Sequence, residues 1–142
     1  MASMTKSLPS LLLLVLLSLV TPASAELLEV NNGELQDLLE RKVTIVDVRR
    51  ADEWHATGVV KNSHLFTFFD HLGRFNADDW LAKLARITNP EAPLILICQT
   101  GTRSRVIGYW LASKVGFSKV YNVTDGIESW KRGGHAVVAI TE

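Results

Sequence analysis

Pro93-Leu94-Ile95-Leu96-Ile97-Cys98-Gln99-Thr100-Gly101-Thr102-Arg103-Ser104 sets an apolar run directly against a short polar loop and the start of a helical pattern. The first five residues are rich in branched side chains, as in a strand covered on both faces, and the chain crosses from strand to helix within six residues. The helix is expected over Ser104 to Val115, with Val106, Ile107, Trp110 and Leu111 apolar and Gly116 as the left-handed residue that ends it. A buried strand feeding a helix this tightly is the unit of a parallel sheet, because parallel neighbours require crossovers.

Outward from this stretch the pattern repeats. Val43-Thr44-Ile45-Val46-Asp47-Val48 is a second near-continuous apolar run, and the two are expected as the central strands. Lys119 to Asn122 and Ser63 to Phe66 are further strands, and Leu27 to Val30 is a weaker edge strand. Leu35, Leu38 and Leu39 recur at helical spacing after Asn32-Gly33, and Trp80, Leu81, Leu84 and Ile87 do so after Asn76, whose side chain suits a helix start. The expectation is an α/β fold of three layers: a mainly parallel sheet of about five strands with helices on both faces. Ligands in such sheets sit at the carboxyl ends of the strands.

Residues 1–25 read differently. Lys6 precedes an apolar run from Leu11 to Val20, and Thr21-Pro22-Ala23-Ser24-Ala25 ends in small residues, the pattern of a secretory signal peptide cleaved after Ala25. The run is about half the roughly 20 residues a spanning helix needs. Removing 25 residues from 142 leaves 117, enough for one domain over 26–142 and too few for two. Export to the periplasm or the exterior is expected, with no membrane association after cleavage. Lys6 is the only charge in the leader, so the 15 basic and 15 acidic residues of the whole chain become 14 and 15. A net charge near neutrality argues against nucleic acid as partner.

The whole sequence holds one cysteine, Cys98, so no disulfide forms within the chain. An exported lone thiol is buried and inert, paired between chains, or kept for its chemistry. The loop decides for chemistry. Gly101 permits a backbone conformation in which successive N–H groups turn inward, and the helix adds roughly half a positive charge at its start. Thiols placed at helix starts act as thiolate nucleophiles. Arg103 adds a full charge that is expected at the rim, there to steer an anionic substrate.

This loop, Cys98-Gln99-Thr100-Gly101-Thr102-Arg103-Ser104, resembles that of the rhodanese family of sulfurtransferases. Ile45-Val46-Asp47-Val48-Arg49 resembles the family's strand motif, Glu53-Trp54 with Gly58 its following short helix, and Gly126-Ile127-Glu128-Ser129-Trp130 with Gly133 its closing motif. The likeness covers about residues 28 to 138 and is similar to the small periplasmic members. Two positions depart: Gly58-Val59-Val60 stands where Gly-His-Ile is common, and Asp125-Gly126 where Gly-Gly is common. The resemblance implies the rhodanese-like three-layer fold and transfer of a sulfane sulfur through a Cys98 persulfide. The donor would be a small anion such as thiosulfate, and the acceptor cyanide, a thiol or an exported redox protein, with no cofactor. Gln99, Thr100, Gly101, Thr102, Arg103 and Ser104 would bind substrate. A phosphatase or arsenate reductase of similar architecture has arginine six positions after cysteine, where Ser104 stands here. A binding module of the same fold, with an incidental thiol, is the remaining alternative.

Asp47, Arg49 and Glu53 are expected to support the loop, Asp47 and Arg49 by bracing its neighbours and Glu53 by orienting Arg103. His55, His64, His71 and His135 have no metal-ligand spacing with one another or with Cys98, so no metal site is expected. Trp110 and Trp130 are expected in the core, as are Trp54, Phe66, Phe68 and Phe69, with the mouth of the site as their alternative. Asn122-Val123-Thr124 matches a glycosylation triplet but sits at a strand end, and no function is assigned to it.

Overall fold

A computed structural model of the protein describes residues 1–2 and 25–141. The leader proposed for residues 1–25 lies almost wholly outside the described residues. No described helix is long and apolar enough to cross a membrane.

The elements follow the order β1 (Glu26–Val30), α1 (Asn32–Glu40), β2 (Thr44–Asp47), α2 (Ala51–Thr57), β3 (His64–Leu65), α3 (Ala77–Leu84), β4 (Leu94–Ile97), α4 (Thr102–Trp110) with a π-helical turn at Leu111–Val115, β5 (Lys119–Val123) and α5 (Gly126–Arg132). The sheet runs β1-β5-β4-β2-β3 with every pair parallel. β4 lies at its centre, and all four of its residues are buried because both faces are covered.

Alternating side chains of β2 and β4 supply two cores. Val46, Leu94 and Leu96 point to one face, where Trp80 and Leu84 of α3 and Ile107 and Leu111 at α4 meet them. Ile45, Ile95 and Ile97 point to the other, against Leu35 and Leu38 of α1 and Ile127 and Trp130 of α5. Each such fully buried Leu or Ile contributes about 1.5–3 kcal/mol relative to exposure.

Three details differ from the sequence expectation. Asn32 and Gly33 are helical residues of α1, and Asn31 before them is the cap: its side chain accepts from the Glu34 N–H at 3.0 Å while Glu34 accepts from the Asn31 N–H at 2.8 Å. Helix α4 begins at Thr102, two residues before Ser104, because Gly101 itself takes the cap position. Val106, expected on the apolar face, is 57% exposed; Ile107 and Leu111 carry the packing. Gly116, with φ 99°, ends the helical segment as anticipated.

Candidate active site

The register of β2 with β4 pairs Asp47 with Ile97, and the Val48 N–H donates to the Ile97 carbonyl at 3.0 Å. Two strand ends therefore finish side by side, one carrying Asp47 and Arg49 and the other Cys98.

Cys98 is 1% exposed. Its Sγ accepts from the Gly101 N–H at 3.2 Å, the Ser104 N–H at 3.5 Å and the Ser104 hydroxyl at 3.2 Å. Gly101 can turn its N–H inward because it holds φ 86°, a left-handed conformation that side chains resist. A Cβ there would also stand 3.0 Å from the Val123 carbonyl oxygen. Three donors thus converge on one sulfur, a geometry that stabilises negative charge on it. Thr100 and Thr102 are exposed beside the buried Gly101 and Ser104.

The other side of the loop is held from α5. The Ile127 N–H donates to the Cys98 carbonyl at 2.9 Å and the Glu128 N–H to the Gln99 carbonyl at 3.2 Å. Gly126 makes the approach possible, since a Cβ there would collide with the Cys98 and Gln99 carbonyl oxygens. Sequence reading quoted Gly126 to Trp130 only as a family mark and gave it no place in the site. The available signal was weak: a glycine a few residues past a strand end, a residue type that permits close backbone approach.

The Gln99 side chain is engaged with neighbours rather than aimed at the sulfur. Its oxygen accepts from Arg49 Nη1 at 3.1 Å and its nitrogen donates to Glu128 Oε1 at 3.0 Å. Arg49 is itself fully buried. Its guanidinium binds both Asp47 oxygens, the Thr57 hydroxyl at 2.6 Å and the Gly58 carbonyl at 2.9 Å. Every remaining donor of a buried cation is thereby occupied, which is the condition for tolerating one.

Arg103 is not a free rim charge. Its two terminal nitrogens meet the two oxygens of Glu53 at 2.8 and 2.6 Å, the bidentate geometry a guanidinium favours. Glu53 also accepts from the Arg50 N–H at 3.1 Å, at the start of α2. The Arg103 hydrogen bond, against the opposing effect of burial, holds the Glu53 carboxyl down to about 2. The same bond raises Arg103 above its ordinary value. Arg105, two residues on, is paired with Glu29 at 2.6 Å.

Of the aromatic residues, Phe68 and Trp130 are buried, while Phe66, Phe69 and Trp110 pack part-buried against the first core. Trp54 is half-buried, and its indole N–H has no partner. Asn122, first residue of the glycosylation triplet, is fully buried and donates to Glu29 at 2.9 Å. Among the described residues no group of three His, Cys, Asp or Glu is placed to hold a metal ion.

A thiol at the carboxyl end of a central parallel strand, ringed by donors from a helix start, defines a cysteine-loop α/β domain. Within that class the chain belongs to the rhodanese-like domain family, whose pattern matches residues 31–133. The Thiosulfate sulfurtransferase GlpE of Pseudomonas savastanoi is 29% identical over 98 residues, covering 69% of this chain and 81% of that protein. The chloroplastic Rhodanese-like/PpiC domain-containing protein 12 of Arabidopsis thaliana is 37% identical over 51 residues, which are 36% of this chain and 17% of that much longer protein. Among solved structures, the polysulfide-sulfur transferase homodimer of Wolinella succinogenes matches with a TM-score of 0.63 at 25% identity, covering 84% of each chain.

Proposed function

We propose that this protein is a sulfurtransferase that moves a sulfane sulfur from thiosulfate or a similar small anion to a thiophilic acceptor through a persulfide on Cys98. The observation that carries the reading is the convergence of the Gly101 N–H, the Ser104 N–H and the Ser104 hydroxyl on Cys98 Sγ. In the first half-reaction the thiolate attacks the outer sulfur of thiosulfate, the S–S bond of the donor breaks, and sulfite leaves with the bonding pair. In the second, cyanide or a thiolate attacks the outer sulfur of the persulfide, and the pair of the broken bond returns to Cys98. Gly101 and Ser104 hold the anionic sulfur throughout, while Gln99, Arg49, Asp47 and Glu128 keep the loop in shape. A phosphatase reading needs a guanidinium aimed into the loop, and both nearby arginines grip carboxylates instead. Export through cleavage after Ala25 belongs to the same proposal, with an exported thiol compound or redox protein as acceptor.

The test is thiosulfate-to-cyanide turnover together with intact mass. The expected result is thiocyanate formation abolished in Cys98→Ser, and a gain of one sulfur atom by the thiosulfate-treated wild type. Wild-type activity no greater than that of Cys98→Ser overturns the activity. A mature chain from the exporting host that still carries residues 1–25 overturns the export.

A further inference from the structure

The carboxylate of Glu29, on the outer strand β1, gathers donors from two separate elements. Its Oε1 accepts from Arg105 Nε at 2.6 Å, and its Oε2 from Arg105 Nη2 at 3.3 Å, Asn122 Nδ2 at 2.9 Å and the Thr124 hydroxyl at 3.1 Å. Arg105 belongs to the first turn of α4, Asn122 to β5, and Thr124 follows β5 directly. Among the described residues, Glu29 is the one side chain hydrogen-bonded to both α4 and the end of β5.

An ion pair as exposed as this one, 41% for Glu29 and 49% for Arg105, contributes little to stability by itself. Asn122 adds what a surface pair lacks. It is fully buried, its Oδ1 has no partner among the described residues, and its Nδ2 is held by Glu29. A buried amide anchored through one atom takes its orientation from that atom's partner.

Gly101 lies between the two elements that Glu29 joins. On the α4 side, its carbonyl accepts from the Arg105 N–H at 3.1 Å. On the β5 side, the Val123 carbonyl oxygen, the Asp125 nitrogen and Asn122 Nδ2 would stand 3.0, 3.1 and 3.6 Å from a Cβ at this glycine. The Gly101 N–H is one of the three donors on Cys98 Sγ, at 3.2 Å. Hydrogen bonds weaken as they lengthen or bend, so a slip of α4 against β5 would loosen this donor.

We infer that Glu29 is a positioning residue for sulfur transfer, its carboxylate clamping α4 to β5 so that the Gly101 N–H stays aimed at Cys98 Sγ. The inference rests on the sulfurtransferase reading and adds to it a residue from the far edge of the sheet. Cys98 Sγ is the attacking atom of the first half-reaction and the leaving atom of the second, so a loosened donor lowers turnover. Glu29 bonds to none of the residues from Cys98 to Ser104, so donor capture is untouched.

The experiment compares Glu29→Gln, Arg105→Met and the double variant with the wild-type chain. Glu29→Gln keeps the size of the side chain but replaces one oxygen by an NH2 group, which leaves either Arg105 Nε or Asn122 Nδ2 facing a donor. Each single variant is expected to lower kcat for thiosulfate-to-cyanide transfer about three- to tenfold, as one of three donors weakens, with KM for thiosulfate within about twofold of wild type. The double variant should lose no more than the larger single loss, because either change opens the same clamp. In the reduced protein the amide proton of Gly101 is expected to move upfield in all three, a readout that needs no turnover. The two substitutions change charge in opposite senses, so KM values that move in opposite directions would show that the pair acts through its field and would overturn the clamp. Unchanged kcat, an unmoved Gly101 amide, or losses that multiply in the double variant each overturn it as well. A wild-type chain that forms no thiocyanate overturns the sulfurtransferase reading itself, and the Gly101 amide then decides by its movement whether Glu29 positions the loop.

Discussion

At Arg103 the orientation by Glu53 expected from the sequence takes the form of a full ion pair. Read in sequence it is a cation at the rim that Glu53 orients; folded, it is half of a bidentate pair with Glu53, so the mouth receives a nearly neutral unit. Arg103→Ala leaves Glu53 without its partner where a dianionic donor must enter. The expected outcome is a rise in KM for thiosulfate on the order of tenfold, about 1.4 kcal/mol, with a smaller fall in kcat. Glu53→Gln does the opposite: it uncovers Arg103, and kcat/KM should fall more steeply with added salt than in wild type. Steady-state kinetics across ionic strength check both, and a fall in kcat alone would mark Arg103 as a holder of the loop. Ser104 permits a cleaner test because it is buried and its hydroxyl donates directly to Cys98 Sγ at 3.2 Å. Ser104→Ala removes that donor with little change of shape. A lost hydrogen bond to an ionised group is worth roughly 1.5–3 kcal/mol, so sulfur transfer should slow about ten- to hundredfold while thermal unfolding changes little. An unchanged rate in that variant would show that the backbone donors suffice.

The first turn of α5 matters at the level of elements, because it ties the loop's carbonyls to a segment that joins the chain after β5. Gly126 holds φ 58° and lies against the Cys98 and Gln99 carbonyls. Gly126→Ala is therefore expected to cost at least about 1–3 kcal/mol from backbone strain alone, read as a lower Tm, with a disproportionate loss of activity as the loop shifts. Asp125 beside it also sits at φ 58°, which explains why Gly-Gly suits this corner and why aspartate, tolerant of that region, is an admissible substitute. Most elements were legible in the sequence: branched apolar runs marked β2, β4 and β5, and leucine spacing marked α1 and α3. The Cys98 loop was legible too, since a thiol, a glycine and a helix start lie within a few residues. Apart from Glu53 with Arg103, pairings between distant segments could not be read. The grip of α5 on the loop and the engagement of Gln99 by Arg49 and Glu128 depend on how the sheet brings strand ends together. The missed start of α4 has a local cause, because Thr100 to Thr102 read as loop until Gly101 is known to be left-handed.

Over the whole molecule, acid should release the connection between α2 and the active loop. The folded Glu53 carboxyl titrates at about 2, against 4.5 ordinarily, so its contribution to stability is complete above 4.5 and is lost as pH falls toward 2. Glu29, which links Arg105 of α4 to Asn122 of β5, is lowered as well and acts in the same direction. The Tm difference between wild type and Glu53→Gln should accordingly be constant above about pH 5 and vanish near pH 2. A gap that persists at pH 2 would mean that packing rather than charge holds α2 in place. The hold of α5 on the Cys98 loop reaches further, into the order of synthesis. The nucleophile emerges from the ribosome well before Gly126, yet two carbonyls of its loop find their donors only in that last helix. A released chain truncated after Thr124 should therefore carry an ordinary, unsheltered thiol, alkylated by maleimide as fast as a free peptide cysteine. The reactive cradle would then be completed only after α5 has left the ribosome, and a truncated chain with full protection of Cys98 would show that the loop is complete without its final helix.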